Sequence, residues 1–151
     1  MMRTSISLLF LVLSLVACSP WKVRYEPRTA VVVAPTARKA TRFLPEESRK
    51  LVQAGGKALG ALEIEGSGIV AERLEDLHNK AREEAARHGG THFLHLDAKL
   101  GDAELGAINE AFGAALKPTD LLSGSKKALY LVVAVPQEGW ARLPQELQPI
   151  P

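Results

Sequence analysis

The stretch GIVAERLEDLHNKAREEAARHGGTHFLHLDAK, residues 68–99, holds both periodicities on which the fold rests. In its first part Val70, Leu74, Leu77, Ala81 and Ala85 recur at helical spacing, while Glu72, Arg73, Glu75, Asp76, Lys80, Arg82, Glu83 and Glu84 occupy the other face. Such a stripe predicts an amphipathic helix over about 68–88, with Ser67 as its N-cap and Gly89 as the residue just past its end. Two small residues, Ala81 and Ala85, would let its last turns approach a sheet closely. From His92 to Lys99 the period changes to two: Leu94 and Leu96 fall on one face, Phe93 and His95 on the other.

On either side lie further strands. Residues 57–65 end in Leu62 and Ile64 alternating with Glu63 and Glu65, a half-buried strand closed by Gly66-Ser67-Gly68. The run ALYLVVAV, residues 128–135, is almost uninterruptedly apolar and reads as the central strand. A β-branched run at 29–34, stopped by Pro35, predicts a short strand as well. Residues 35–44 read as basic and irregular. Pro45 with Glu46 and Glu47 marks a short helix that stops near Gly55-Gly56. Between 101 and 127, Leu105, Ile108, Phe112 and Leu116 have helical spacing, but Gly101, Gly106 and Gly113 interrupt it, so the region reads as an excursion between strands. The expected fold is α+β: a small, mostly antiparallel sheet of about four strands in two layers, covered by one main helix at about 68–88. In domain terms this gives a leader at 1–17, a tether at 18–28, an α+β domain at 29–136 and an irregular Pro-rich tail at 137–151.

The leader reading rests on the first eighteen residues. Arg3 charges a short n-region, and Ile6–Val16 is apolar apart from Ser7 and Ser14. That length suits a signal-peptide h-region and is short for a bilayer span. Leu15-Val16-Ala17-Cys18 then resembles the lipobox of bacterial lipoproteins. The resemblance implies a diacylglyceryl group on the Cys18 sulfur, cleavage before it and acylation of the freed amine. Two or more chains anchor stably where one is marginal. Cys18 is the sole cysteine of the chain, which excludes an intrachain disulfide and any multi-cysteine metal site. Ser19 stands where an Asp would retain an enteric lipoprotein in the inner membrane, so an outer-membrane location facing the periplasm is implied.

Residues 59–66 (LGALEIEG), the helix with Ala81 and Ala85, and residues 88–95 (HGGTHFLH) resemble small envelope lipoproteins with YbjQ-like domains, and also the α/β domain of Rcs-type stress sensors. The resemblance spans about 57–100 and 128–135 and implies a fold and a location. The paired cysteines of Rcs-type sensors are absent, so disulfide-linked sensing does not carry over, and no functional residue is transferred.

Composition narrows the partners. Lys+Arg 19 against Asp+Glu 17 gives +2, and a balance so near neutrality speaks against nucleic acid. His88, His92 and His95, with His78 upstream, invite a periplasmic metal-binding reading, although His92 and His95 should point to opposite faces of a strand. Glu63 and Glu65 share a strand face and could be paired carboxylates of a hydrolase; an exposed strand face is the plainer reading, since no motif places a further Asp or Glu opposite them. Neither Gly55-Gly56 nor Gly66-Ser67-Gly68 completes a phosphate-binding motif, so no cofactor is expected. Arg24, Arg28, Arg38, Lys39 and Arg42 could rest on anionic head groups or form a solvated linker. The apolar 103–116 stretch could lie on a membrane or meet a partner, with burial on its own domain the default. The leading expectation is therefore a non-catalytic, lipid-anchored envelope protein that offers its domain to a protein partner or the cell wall.

Overall fold

The computed structural model describes residues 19–30, 32–121 and 126–151. The leader and Cys18 lie outside the described residues. Five strands form one sheet: β1 (Trp21–Pro27), β2 (Thr41–Phe43), β3 (Lys57–Gly66), β4 (His92–His95) and β5 (Lys127–Ala134). Their order is β1-β3-β5-β4-β2; every pairing is antiparallel except β2 with β4. The α+β class and the mostly antiparallel sheet are as expected, with five strands in place of four.

β5 is central, and its apolar run has a direct cause: both faces are covered. Tyr130 and Val132 point towards α2 (Leu74–Arg87), where they join Leu62, Ile64, Leu77, Ala81, Ala85 and Phe93. Leu131 and Val133 point the other way, into a cluster with Leu94, Leu96, Leu51 of α1 (Ser48–Gln53) and Leu105 and Ile108 of α3 (Asp102–Phe112). A strand buried on both sides has no polar alternation to show.

α2 starts later than its periodicity suggests. Gly68–Ala71 forms a 3-10 turn, and the α-helix is capped at Arg73, whose N–H donates to the Asp76 carboxylate at 3.0 Å. Ser67 therefore caps no α-helix. At the other end Gly89 has φ +86°, and the Gly90 N–H donates to the Ala85 carbonyl at 2.8 Å, closing the helix as expected. Ala81 and Ala85 are fully buried. A Cβ at Gly90 would lie 2.5 Å from Val132 and 2.8 Å from the Ala85 carbonyl oxygen, so the helix end and β5 meet with no room for a side chain.

Three expectations are corrected. The supposed tether contains β1. Trp21, Val23 and Tyr25 alternate with Lys22, Arg24 and Glu26, and the strand pairs with β3 along its whole length. Both aromatics cover glycines of β3: a Cβ at Gly66 would meet the Trp21 ring at 2.9 Å, and one at Gly60 would meet the Tyr25 ring at 2.6 Å. Aromatic side chains over strand glycines supply the contacts that glycine lacks. Residues 29–34 form no strand in their described part. Val33 packs on the α2-side cluster instead. The 35–44 segment contains β2, whose Phe43 is fully buried and pairs in parallel with Leu94.

Other elements agree more closely. A 3-10 turn at Pro45–Glu47 leads into α1, and the Leu44 N–H donates to the Glu47 carboxylate at 2.9 Å. The strand expected over 92–99 is shorter, ending at His95, but its facing is as read. The 101–127 excursion contains α3, stopped by Gly113 at φ +60°. The tail at 137–151 lacks α or β structure apart from a bridge between Lys39 and Ile150, yet it packs. Its 3-10 turns Gln137–Arg142 and Gln145–Leu147 bring Leu143 and Leu147 into the core opposite α2.

Candidate functional site

The histidines are sorted by strand parity and by the helix above the sheet. His92 shares the Leu94 face and His95 the Phe93 face, so the two diverge from one strand. His88, at the end of α2, stacks on the Tyr25 ring at 3.8 Å between centroids. His88, His92 and His95 are thus not brought together, which corrects the geometry required for a metal site built from them. Among the described residues no group of three or more His, Cys, Asp or Glu is placed to hold a metal ion.

His92 is fully buried and its hydrogen bonds are complete. Its Nε2 lies 2.6 Å from the Leu147 carbonyl oxygen and its Nδ1 lies 2.8 Å from Thr91 Oγ1. A carbonyl can only accept, so Nε2 carries the proton and Nδ1 accepts from the threonine hydroxyl. That hydroxyl in turn accepts from the Val135 N–H at 2.8 Å. One imidazole thereby ties β4 and the end of β5 to the C-terminal segment. Burial pushes its pKa down to about 4, against a smaller upward effect of the bond to Leu147.

The partner of His95 is His78. α2 carries His78 onto the sheet beside β4 and β5, where its ring is 4.9 Å from His95 and 5.5 Å from Tyr130, centroid to centroid. The Tyr130 hydroxyl lies 2.7 Å from His78 Nδ1 and donates to it when the ring holds its proton on Nε2. Phe93 closes the group edge-on to Tyr130 at 5.6 Å. Burial lowers the His78 pKa to about 4, aided by the positive charge of Arg42, by His95 when that ring is protonated, and by Arg82. The His95 pKa is also lowered, chiefly by burial, with Asp97 opposing and Arg42 adding to it. Burial raises the Tyr130 pKa, Arg42 opposing and Glu75 adding. His95 Nε2 is buried without a hydrogen-bond partner among the described residues. Two neutral imidazoles and a phenol under a helix make a polar contact inside an apolar core, and one able to take up protons only against its surroundings. Sequence reading named His78 and His95 without pairing them, since their meeting depends on how α2 lies across β4.

Glu63 and Glu65 do share a face, the one opposite α2. Glu63 pairs with Lys127 at 3.1 Å, and Lys22 and Lys127 flank Glu65 in register on the neighbouring strands. A half-exposed carboxylate with a lysine partner suits an ordinary cross-strand ion pair. Arg24 stands on this same face of β1, whereas Arg28 reaches across to donate to the Ala114 carbonyl at 2.6 Å. The 103–116 stretch buries Leu105, Ile108, Ala114 and Leu116 on its own domain.

The remaining candidate is the pole at which the chain enters the sheet. The Ser67 N–H and hydroxyl both donate to the Pro20 carbonyl, at 2.9 and 3.1 Å, and the Gly66 N–H donates to the Lys126 carbonyl at 2.8 Å. The start of β1, the end of β3 and the start of β5 therefore meet there. Trp21 is half-buried, packed on Gly66 and Ala71, with Lys80 Nζ 5.8 Å from its ring centre. Ile69, in the 3-10 turn beside it, is 84% exposed. Among the described residues no helix is long and apolar enough to cross a membrane.

No family model, curated protein or solved structure matches the chain.

Proposed function

We propose that the chain is a bacterial envelope lipoprotein. It is acylated on Cys18 and held at a membrane by those chains, in the outer membrane facing the periplasm as Ser19 suggests. Its α+β domain is a non-catalytic binding or structural module for an envelope protein or the cell wall. The observation that carries the reading is where the folded unit begins relative to the lipobox. β1 starts at Trp21, three residues after Cys18, so a cut before Cys18 leaves every described strand in place. The non-catalytic part is supported by the partners of two buried histidines, since His92 is bonded to Thr91 and the Leu147 carbonyl, and His78 to the Tyr130 hydroxyl.

Intact mass of the protein extracted from membranes tests it. The expected mass is that of residues 18–151 plus acyl groups, and Cys18→Ala should lose labelled palmitate altogether. An unmodified chain in the soluble fraction, or palmitate retained by Cys18→Ala, overturns the reading.

A further inference from the structure

We propose that the domain does not swing on a tether but rests directly on the lipid surface, with the Gly66–Ala71 turn down and Ile69 inserted among the head groups. This rests on acylation of Cys18, and it adds which face meets the bilayer.

The first argument is reach. The Pro20 carbonyl is held by two donors from Ser67, and Cys18 is two residues upstream. An extended chain covers about 3.5 Å per residue, so the acylated residue starts within roughly 7 Å of Pro20. A domain held so closely cannot turn its entry pole away from the membrane.

The second argument is what that pole presents. Ile69 is 84% exposed, while the neighbouring Ala71 is fully buried and Trp21 half-buried. A large aliphatic side chain standing out of a tight turn at the chain's point of entry is suited to the head-group boundary, where a half-buried tryptophan is also at home. Lys22, Lys126 and Lys127 stand on the sheet side of the pole and are exposed. On the helix side stand Glu72, Arg73, Glu75 and Asp76, with Glu65 on the sheet. Asp76 is engaged in capping α2, so its charge faces the helix end. Lys127 is paired with Glu63 at 3.1 Å, so Lys22 and Lys126 are the lysines placed to meet phosphates of the head groups, and the apolar contact leads.

A comparison position lies at the opposite end of the molecule. Val32 is 96% exposed beside Pro27, Arg87 and His88, and β1, of 7 residues, separates the two poles by about 20 Å at the usual strand rise. Exposure alone does not distinguish the two residues; the point of chain entry does.

The test uses the full-length acylated protein, in which the Cys18 sulfur is blocked by its lipid. Ile69→Cys or Val32→Cys then offers a single thiol for a spin label, and each protein is placed in vesicles of phosphatidylethanolamine and phosphatidylglycerol. The label at 69 is expected to be severalfold less accessible to a water-soluble nickel chelate than the label at 32, and severalfold more accessible to oxygen, which concentrates in the bilayer. Acylated protein whose two labels behave alike overturns the docking and leaves the anchor standing. Protein whose mass shows no acyl chains overturns both. Protection of position 69 that follows protein density in place of the bilayer identifies a second copy as the occupant, and it overturns the proposal too.

Discussion

Mild acid should destabilise this domain from about pH 6.5 downwards, because His78 and His92 are buried in neutral form. Each has a folded pKa of about 4 against an ordinary 6.5. The sign follows from which state binds protons. Above about pH 6.5 neither state is protonated, and the groups cost nothing. Between 6.5 and 4 the unfolded chain takes up a proton at each histidine that the folded chain refuses, so stability falls with pH; below 4 both states are protonated and the loss levels off. At about pH 4.5 each histidine has removed about 2.5 kcal/mol, and the pair about 5 kcal/mol, with the slope steepest midway between the two pKa values at just under two protons. A domain of ordinary stability, about 5–15 kcal/mol, would lose much of its margin. The lowered pKa of His95 acts in the same direction. The assay is urea unfolding of the acyl-free domain at a series of pH values from about 7.5 to 4.5, with the slope of free energy against pH read as proton uptake. His78→Gln and His92→Gln should each remove about one proton from that slope while lowering stability at neutral pH. A free energy that stays level across the range, or a slope untouched by either variant, refutes the argument that these rings are held neutral by burial.

Two further substitutions probe the packing. Trp21→Ala strips the cover from Gly66 and Ala71 and should cost about 2 kcal/mol, less than a fully buried tryptophan because the ring is half-exposed; faster amide exchange confined to Lys22–Tyr25 should accompany it, and unchanged exchange would show that β1 does not depend on that ring. Gly139→Ala places a Cβ 1.9 Å from the Ala54 carbonyl oxygen and should cost about 1–3 kcal/mol, with altered fluorescence of the adjacent Trp140, whose indole N–H donates to the Val135 carbonyl; an unshifted urea midpoint would contradict that contact.

The elements that could be read from the chain are those whose burial is one-sided or complete along their length. The stripe of α2, the alternation of Leu62 and Ile64, and the run of β5 each declare themselves locally. β1 was equally legible, since Trp21-Lys22-Val23-Arg24-Tyr25-Glu26 alternates without a fault. Pro20, Pro27 and the charges give the same segment the composition of a tether. Residues 29–34 have strong β propensity, yet their described part forms no strand and Val33 packs on the α2-side cluster instead. β2 has three residues, too few to show a period; its existence depends on the far-off edge of β4. The histidines show the same limit at the level of a site. Parity correctly separated His92 from His95, since alternation is a property of any extended chain. That His95 meets His78 and Tyr130, and that His92 holds Leu147, was decided by α2 crossing the sheet and by the C-terminal segment folding back beneath it. Those contacts join residues 17 to 55 positions apart in the chain, and no local pattern records them because they follow from which faces are buried together.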